Sequence, residues 1–208
     1  MEKLIRGLHH FQNHIFSSYQ ELFERLAEGQ SPEAMFITCS DSRIDPALIT
    51  QTAPGDLFVL RLGGNFVPPY GVSGGESATI EYAVSFLGVK DIIVCGHSHC
   101  GAMEILLHPE RFSGYPAIQV WLTHVEAIRR VMQNYADRPE EVRQAIAVKE
   151  NVLLQLENLK THPTVSAAVA AGTLHLHAWV YEFEKGKVLA FDPEEGQFLP
   201  LRKPREEF

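Results

Sequence analysis

Apolar residues recur every three or four positions over long stretches of this chain, a spacing that predicts amphipathic helices. Residues 3–28 carry the first such stretch, which predicts one or two helices, and Gly29 marks its end. Further helices are predicted at 76–87, near 120–131 and at about 139–160, with a short one at 46–49. Pro163 is predicted to end the longest helix, since proline cannot continue an α-helix.

Short apolar runs between these helices predict buried strands. They cover 35–39, 57–60 and 92–95, and a fourth strand is predicted where apolar and polar residues alternate over 173–184. A turn at 184–187 leads to a closing strand at 188–191, and a long loop rich in glycine and proline is predicted over 63–75.

Because strands alternate with helices, the predicted fold class is α/β: a mostly parallel β-sheet flanked by helices. An N-terminal helical arm precedes this sheet, and an antiparallel edge strand completes it. The whole chain, 1–208, is predicted to form a single domain that ends in a tail at 200–208.

The composition excludes several classes of protein. Of the 208 residues, 45% are hydrophobic and 21% are charged, which is ordinary for a globular protein and excludes a disordered or collagen-like chain. The net charge is −8 and basic residues form no run, so we expect no nucleic-acid partner. No apolar run is long enough to span a membrane, and the first residues lack the apolar core of a signal peptide, so we expect a cytoplasmic location.

Residues with metal-binding side chains follow two of the predicted strands. The sequence Cys-Ser-Asp-Ser-Arg at 39–43 begins at the end of the first strand, and His-Ser-His-Cys at 97–100 follows the third. Sites in open α/β sheets form at the carboxyl ends of strands, so these two segments are predicted to converge. Thiolate and imidazole are zinc ligands, and three protein ligands leave a fourth position open for catalysis. Cys39, Cys100 and either His97 or His99 form such a set, whereas all four together would make a closed structural site.

Asp41 and Arg43 are separated by one residue beside the predicted ligand Cys39. A guanidinium matches a carboxylate through two parallel hydrogen bonds, so Arg43 is predicted to hold Asp41 next to the metal. The simpler interpretation is a structural salt bridge. Cys95 lies inside an apolar strand and is interpreted as a packed hydrophobic residue. The other clustered histidines are interpreted as solvated or satisfied polar residues: His9, His10 and His14 on the first helix, and His175 and His177 on one strand face.

The sequence resembles the β-class carbonic anhydrases over nearly its whole length. The resemblance rests on Cys-Ser-Asp-Ser-Arg at 39–43, Glu-Tyr-Ala at 81–83 and Gly-His-x-x-Cys-Gly at 96–101. Closest in appearance are the cyanobacterial carboxysomal members, through Phe-Ile-Thr before the first motif and Cys-Gly-His-Ser-His-Cys-Gly-Ala-Met around the last. The family fold that this implies is the same α/β sheet with an N-terminal helical arm.

The resemblance implies a zinc-dependent lyase, a carbonate dehydratase of carbon utilisation. Its reaction is the reversible hydration of CO₂ to bicarbonate and a proton by zinc-bound hydroxide. One Zn²⁺ per chain would be bound by Cys39, His97 and Cys100, which selects His97 over His99. The resemblance also implies that Asp41 and Arg43 form a catalytic pair. Four residues match the substrate pocket of the family, which is shared across a dimer: Gln30, Phe58, Tyr82 and Gly101.

The resemblance further implies partners for the chain. A homodimer or a larger even-numbered homo-oligomer is expected, with residues 1–28 acting as dimerisation helices. The carboxysomal members add carboxysome components as partners and the carboxysome lumen as an alternative to the cytoplasm.

Two residues near the predicted site depart from the family pattern. Leu62 stands where a polar residue is usual, and Gly63 stands where a small apolar pocket residue is usual. These departures keep two alternatives open. One is a catalytically weak or inactive zinc-bearing relative that acts as a scaffold or binding protein, and the other is a hydrolase of CS₂ or COS on the same fold.

Overall fold

The computed structural model describes residues 1–72 and 74–201, and these fall into two compact units divided after Ser31. The N-terminal unit contains helices α1 (Glu2–His10) and α2 (Phe16–Ala27), joined by a π-helical turn at Phe11–Ile15. This confirms the helices predicted over 3–28. The π-helical turn was not predicted, because one wider turn barely disturbs a spacing of three to four residues.

The unit that begins at Pro32 is built on a mixed sheet. In the described part of the chain the sheet has six strands, in the order β2-β1-β3-β4-β5-β6. Their bounds are β1 Ala34–Cys39, β2 Leu57–Leu62, β3 Asp91–His97, β4 His175–Glu182, β5 Lys187–Asp192 and β6 Gln197–Pro200. The strands from β2 to β4 run parallel, and β5 and β6 continue the sheet antiparallel. The predicted fold class is confirmed, with a second antiparallel strand, β6, beyond the predicted one.

Helices connect and flank these strands. Their bounds are α3 Pro46–Thr50, α4 Gly75–Glu81, α5 Gly101–Leu107, α6 Pro116–His124, α7 Glu126–Met132, α8 Glu140–Thr161 and α9 Pro163–Ala170. The helical stretch predicted near 120–131 is confirmed, and it consists of two helices because the helical hydrogen bonding breaks at Val125 and separates α6 from α7. Pro163 ends α8 as predicted, but it also occupies the first position of α9, where its missing N–H has no helical partner to lose.

The core lies on both faces of the central strands. On one face Met35, Ile37, Ile92 and Val94 join a large apolar cluster, and α8 contacts β3 and β4 there. On the other face Phe36, Ile93 and Cys95 form a smaller cluster. Burial on both faces explains why β1 and β3 are unbroken apolar runs rather than alternating ones.

Membrane-spanning helices and the C-terminal tail were the two remaining features considered from the sequence. None of the helices within 1–72 and 74–201 is long and apolar enough to cross a membrane. The predicted tail at 200–208 lies largely outside the described residues, which end at Leu201.

Candidate metal centre

The carboxyl ends of β1 and β3 bring the predicted ligands together. Cys39 is the last residue of β1, and Cys100 directly precedes α5. His97 is the last residue of β3, so the strand reaches two residues further than the predicted end at 95. Since β1 and β3 are parallel neighbours, with Thr38 paired to Cys95, their ends lie at the same edge of the sheet.

The ligand atoms of these three buried residues, Cys39, His97 and Cys100, form a group with the dimensions of a zinc site. We call these three residues the metal group. The two Sγ atoms and a ring nitrogen of His97 all lie within 4.8 Å of one another, and the Sγ atoms are 4.0 Å apart. Tetrahedral bonds of the usual Zn–S length would place two sulfurs about 3.8 Å apart. Among the described residues, no other set of three metal-binding side chains is as close.

His97 provides an independent test of whether a metal ion fits this group. Its side chain is fully buried, and Nε2 has no hydrogen-bond partner, while Nδ1 lies 2.8 Å from the carbonyl oxygen of Ser98. A buried ring nitrogen without a partner is costly unless something binds it. A carbonyl at Nδ1 favours the tautomer that leaves the Nε2 lone pair free, as in metal-binding histidines. The donor set therefore fits a zinc ion.

The thiols of Cys39 and Cys100 shift each other's pKa. A hydrogen bond from the Cys100 thiol holds the pKa of Cys39 well below its usual range, against the opposing effect of burial. The same interaction, together with burial, raises the pKa of Cys100. The hydrogen bond between the two sulfurs therefore stabilises one thiolate in the pair, which is the form that binds a cation.

Asp41 and Arg43 form the predicted pair beside this group. Arg43 donates from Nε to Oδ1 at 2.9 Å and from Nη2 to Oδ2 at 2.7 Å, and its backbone N–H donates to Oδ1 at 2.9 Å. These bonds hold the pKa of Asp41 well below its usual range. Arg43 is itself anchored, because Nη2 also donates to the carbonyl oxygen of His99 and the guanidinium lies 4.8 Å from the ring centre of Phe183. Asp41 Oδ2 lies 3.9 Å from His97 Nε2, so the pair borders the ligand group.

Comparisons with known proteins agree with this geometry. Residues 34–188 match the family model for carbonic anhydrase. The solved structure of the β-carbonic anhydrase CcaA superposes with a TM-score of 0.94 at 48% sequence identity, over 97% of this chain and 99% of that one. This chain belongs to the β-class carbonic anhydrases.

Two further carbonic anhydrases are similar to this chain over most of its length. A carbonic anhydrase of Synechocystis is 50% identical over 195 residues, which cover 92% of this chain and 71% of that protein. A solved structure from a study of two tetrameric β-carbonic anhydrases of Sordaria macrospora superposes with a TM-score of 0.76 at 32% identity, over 91% and 92% of the two chains. The alternatives of a non-catalytic scaffold and of a CS₂ or COS hydrolase are not favoured by these relatives.

Other candidate ligands of this β-class member lie outside the group. His99 has a left-handed backbone, with φ of 54°, and more than half of its side chain is exposed, so it contributes its carbonyl oxygen rather than its ring. Cys95 is fully buried, which raises its pKa to about 12, as expected of a packed hydrophobic residue. His177 and His175 face Asp91, with ring nitrogens 2.7 Å and 3.8 Å from Oδ1. His9, His10 and His14 are exposed in the N-terminal unit.

Arg61 on β2 supports the site in a way that sequence reasoning missed. Its Nη2 donates to the carbonyl oxygens of Asp41 and Ile44 at 2.7 Å and 2.8 Å, and Nε donates to that of Cys39 at 3.2 Å. These three bonds fix the loop that carries Asp41. The sequence signal is a charged residue at the end of an otherwise apolar strand, but its targets are backbone atoms, which no motif reveals.

The predicted pocket residues are distributed over several elements. Gly101 begins α5 directly after Cys100, and Gln30 belongs to the N-terminal unit. Phe58 and Tyr82 have ring centres 6.0 Å apart. Phe58 pairs with Met35, four residues before Cys39, whereas Leu62 pairs with Cys39 itself. At about 3.3 Å per residue, Phe58 lies roughly 13 Å along the sheet from the level of the thiol group, so the two aromatic residues do not line the metal group of their own chain.

Proposed function

We propose that this chain catalyses the reversible hydration of CO₂, with Cys39, His97 and Cys100 holding one zinc ion. The observation that carries the proposal is the buried group of two thiols and one imidazole, whose unpaired His97 Nε2 lies 3.9 Å from Asp41. When bound, zinc lowers the pKa of a water molecule towards neutrality and so supplies a nucleophile for CO₂.

Asp41 orients the reacting water in this proposal. Because Arg43 keeps its pKa well below the usual range, the carboxylate is ionised throughout the working pH range and can only accept a hydrogen bond. An acceptor at that position fixes the water so that an oxygen lone pair, rather than a proton, faces CO₂. Three hydrogen bonds from Arg43 hold the carboxylate beside the ligand residues, where it would accept a hydrogen bond from the water without itself binding the metal.

Phe58 and Tyr82 serve a second copy of the chain in this proposal. The register of β2 separates them from the metal group of their own chain, which is consistent with a pocket assembled from two copies. Their adjoining rings would supply an apolar wall for CO₂, and Gln30 an amide for the oxygens of bicarbonate, while Gly101 leaves space directly after a ligand.

The proposed assembly is a homodimer or a larger even-numbered oligomer in which residues 1–28 are the dimerisation helices of a single-domain chain, 1–208. Support comes from the Sordaria study, whose enzymes are tetrameric. Further support comes from the large apolar side chains that α1 leaves exposed in the N-terminal unit: Leu4, Ile5 and Leu8. Apolar faces of this kind are typical of surfaces that pair with another chain.

The proposed location is the cytoplasm, and the carboxysome lumen is the alternative that the motif resemblance adds. The similarity to the Synechocystis enzyme supports a cyanobacterial type of chain. Carboxysome components as partners remain part of this proposal.

Stopped-flow CO₂ hydration by the reduced, zinc-loaded protein at pH 7 to 9 tests the function. We expect activity in the wild type and a loss of about 10²-fold or more in Asp41→Asn, because removing a preorganised group from a transition state commonly costs that much. Asp41→Asn should keep one zinc per chain, whereas Cys39→Ser should lose it.

The matched control for Cys39→Ser is Cys95→Ala, which changes a buried cysteine outside the group. We expect it to retain both zinc and activity. A wild-type protein that binds zinc but is inactive at every pH would overturn the proposal and favour the non-catalytic relative. Full activity in Asp41→Asn would remove the carboxylate from the mechanism.

A further inference from the structure

One face of α8 carries polar residues inside the apolar core. Asn151, Gln155 and Asn158 follow one another at intervals of four and three residues, so they share one side of the helix. Asn151 and Gln155 are almost completely buried, with 1% and 0% exposed. Buried amides destabilise a fold unless their hydrogen bonds are satisfied. Their partners therefore indicate what this row, the α8 amide row, is for.

The partners are backbone groups of the loop that follows β2. Asn151 Nδ2 donates to the carbonyl oxygen of Gly64 at 2.8 Å, and Gln155 Oε1 accepts from the N–H of Val67 at 2.9 Å. Asn158 Nδ2 donates to the carbonyl oxygen of Val67 at 2.8 Å. This loop has little regular structure of its own, so the helix side chains replace the hydrogen bonds that a strand or helix would supply.

The orientation of the amides is determined by the backbone at both ends. The N–H of Val67 can only donate, so Gln155 must present its oxygen there and its Nε2 to Asn151 Oδ1, 2.8 Å away. Asn151 must then present its nitrogen to Gly64. The row therefore has one consistent pattern of donors and acceptors, and Asn151 is held from both sides.

Gly64 connects the α8 amide row to the metal group. Its N–H donates to the Sγ of Cys39 at 3.4 Å. Its backbone is left-handed, with φ of 65°, and a Cβ there would lie only 2.8 Å from the Cβ of Ala102, two residues after Cys100. Gly64 is thus confined between the thiol of Cys39 and the side chain of Ala102, and the hydrogen bond from Asn151 fixes the peptide group on its carboxyl side.

We infer that Asn151 is a positioning residue for the metal group: it fixes Gly64, whose N–H holds the sulfur of Cys39. The inference rests on the proposed function, since it concerns how firmly a zinc ion is held. An N–H directed at a ligand thiolate neutralises part of its charge and restricts its direction, and outer groups of this kind tune metal sites. Asn151 lies 51 residues from Cys100 and 112 from Cys39 in sequence, so no local motif points to it.

Asn151→Ala and Asn158→Ala form a matched pair for the test. Each removes one amide of the same row, but Asn158 holds Val67, away from Cys39. The measured quantities are the melting temperature, the rate of zinc transfer to the chelator 4-(2-pyridylazo)resorcinol, and the absorption spectrum of the cobalt-substituted protein. Both variants should melt at lower temperature than the wild type. Asn151→Ala should release zinc about tenfold faster, the lower end of the effect of outer-shell groups, and Asn158→Ala within roughly twofold of the wild type.

The cobalt spectrum distinguishes a change in the position of the Cys39 sulfur from a general loss of stability. We expect the thiolate-to-cobalt charge-transfer band to shift in Asn151→Ala and to stay in place in Asn158→Ala. Equal zinc release and unchanged spectra in both variants would overturn the inference and leave the row a structural feature. If Asn151→Ala does not fold, Asn151→Ser, which keeps a small donor, is compared with Asn158→Ser by the same criteria. Wild-type protein that takes up neither metal would overturn the proposed function together with this inference.

Discussion

Gly63 and Gly64 lie side by side in the loop after β2, and they meet very different surroundings. A Cβ on Gly63 would have no atom within 4 Å, and its backbone is not left-handed. A Cβ on Gly64 would lie 2.8 Å from Ala102 and 3.3 Å from Trp121. The departure from the family pattern at Gly63 therefore leaves an open position, whereas Gly64 occupies one that tolerates no side chain.

Gly64→Ala is predicted to destabilise the protein, and Gly63→Ala is its control. The left-handed backbone alone costs a residue with a Cβ about 1–2 kcal/mol, and the close contact with Ala102 adds to that cost. Gly63→Ala should change the free energy of unfolding by less than about 0.5 kcal/mol. Urea unfolding of both variants measures the difference. Equal effects would show that the loop adapts and that Gly64 is not confined.

For single residues, the sequence predicted which side chains form the site better than it predicted which residues hold them in place. Asp41 and Arg43 could be paired because they are two positions apart and their side chains bind each other, and Cys39 could be assigned because it ends an apolar strand. Arg61 and Asn151 could not, because each binds backbone carbonyls whose position depends on the folded loop. Side-chain motifs are visible in a sequence, but the direction of a distant peptide group is not.

Among the elements, β3 and α8 pack closely together next to the site. A Cβ on Gly96 would lie 2.7 Å from Cγ2 of Val152 and 2.9 Å from Cγ1 of Val148. Glycine at this position lets α8 pack directly on the strand that ends at His97. In the sequence Gly96 stood out only as the first residue of the motif at 96–101, since the helix packed against it is about 50 residues away.

Gly96→Ala is predicted to push α8 away from β3 and to destabilise the protein by about 1–3 kcal/mol, the usual effect of overpacking. Val152→Ala should be destabilising by itself, because it leaves a cavity. The double variant should lose less stability than the sum, since each change relieves the other. Denaturant unfolding of the three variants gives the coupling energy, with Gly114→Ala, whose Cβ would meet nothing within 4 Å, as control. Strict additivity would mean that the two positions do not compete for space.

The elements themselves were predictable where their apolar residues formed a recognisable pattern. Short apolar runs marked β1, β2, β3 and β5, alternation marked β4 and a long helical spacing marked α8, whereas β6 and the short helices α5 and α9 have too few residues to establish a period. The π-helical turns at Phe11–Ile15 and Tyr82–Phe86 lie inside stretches predicted to be helical, because one extra residue per turn hardly alters the pattern.

For the molecule as a whole, the metal group joins segments that are far apart in the chain. Cys39 and Cys100 are separated by 61 positions, and they meet because β1 and β3 are parallel neighbours. That convergence was predictable from strand ends alone. The choice of His97 over His99 needed either the family resemblance or the structure, in which the backbone of His99 turns left-handed and leaves its side chain largely exposed.

Metal removal is predicted to lower the melting temperature without unfolding the protein. The apolar cluster that contains the ligands Cys39 and Cys100 also contains many residues that bind no metal, Met35, Ile92 and Val152 among them, so the protein should stay folded without zinc. A ligand that binds only the folded state at a hundred times its Kd adds about 2.7 kcal/mol, or roughly 5–10 °C for a chain of this size. Calorimetry before and after dialysis against a chelator under reducing conditions measures the shift.

Cys39→Ser supplies the control for that measurement, because a chain without the complete thiol pair should melt at the same temperature with and without the chelator. Unfolding of the wild type on chelation would show that the ion is structural and that the central strands need it. An unchanged wild-type melting temperature would show that the ion is held too weakly to stabilise the fold. The intermediate result, a folded protein with a reversible shift, is the one expected of a metal ion that is retained for catalysis on a fold that is stable by itself.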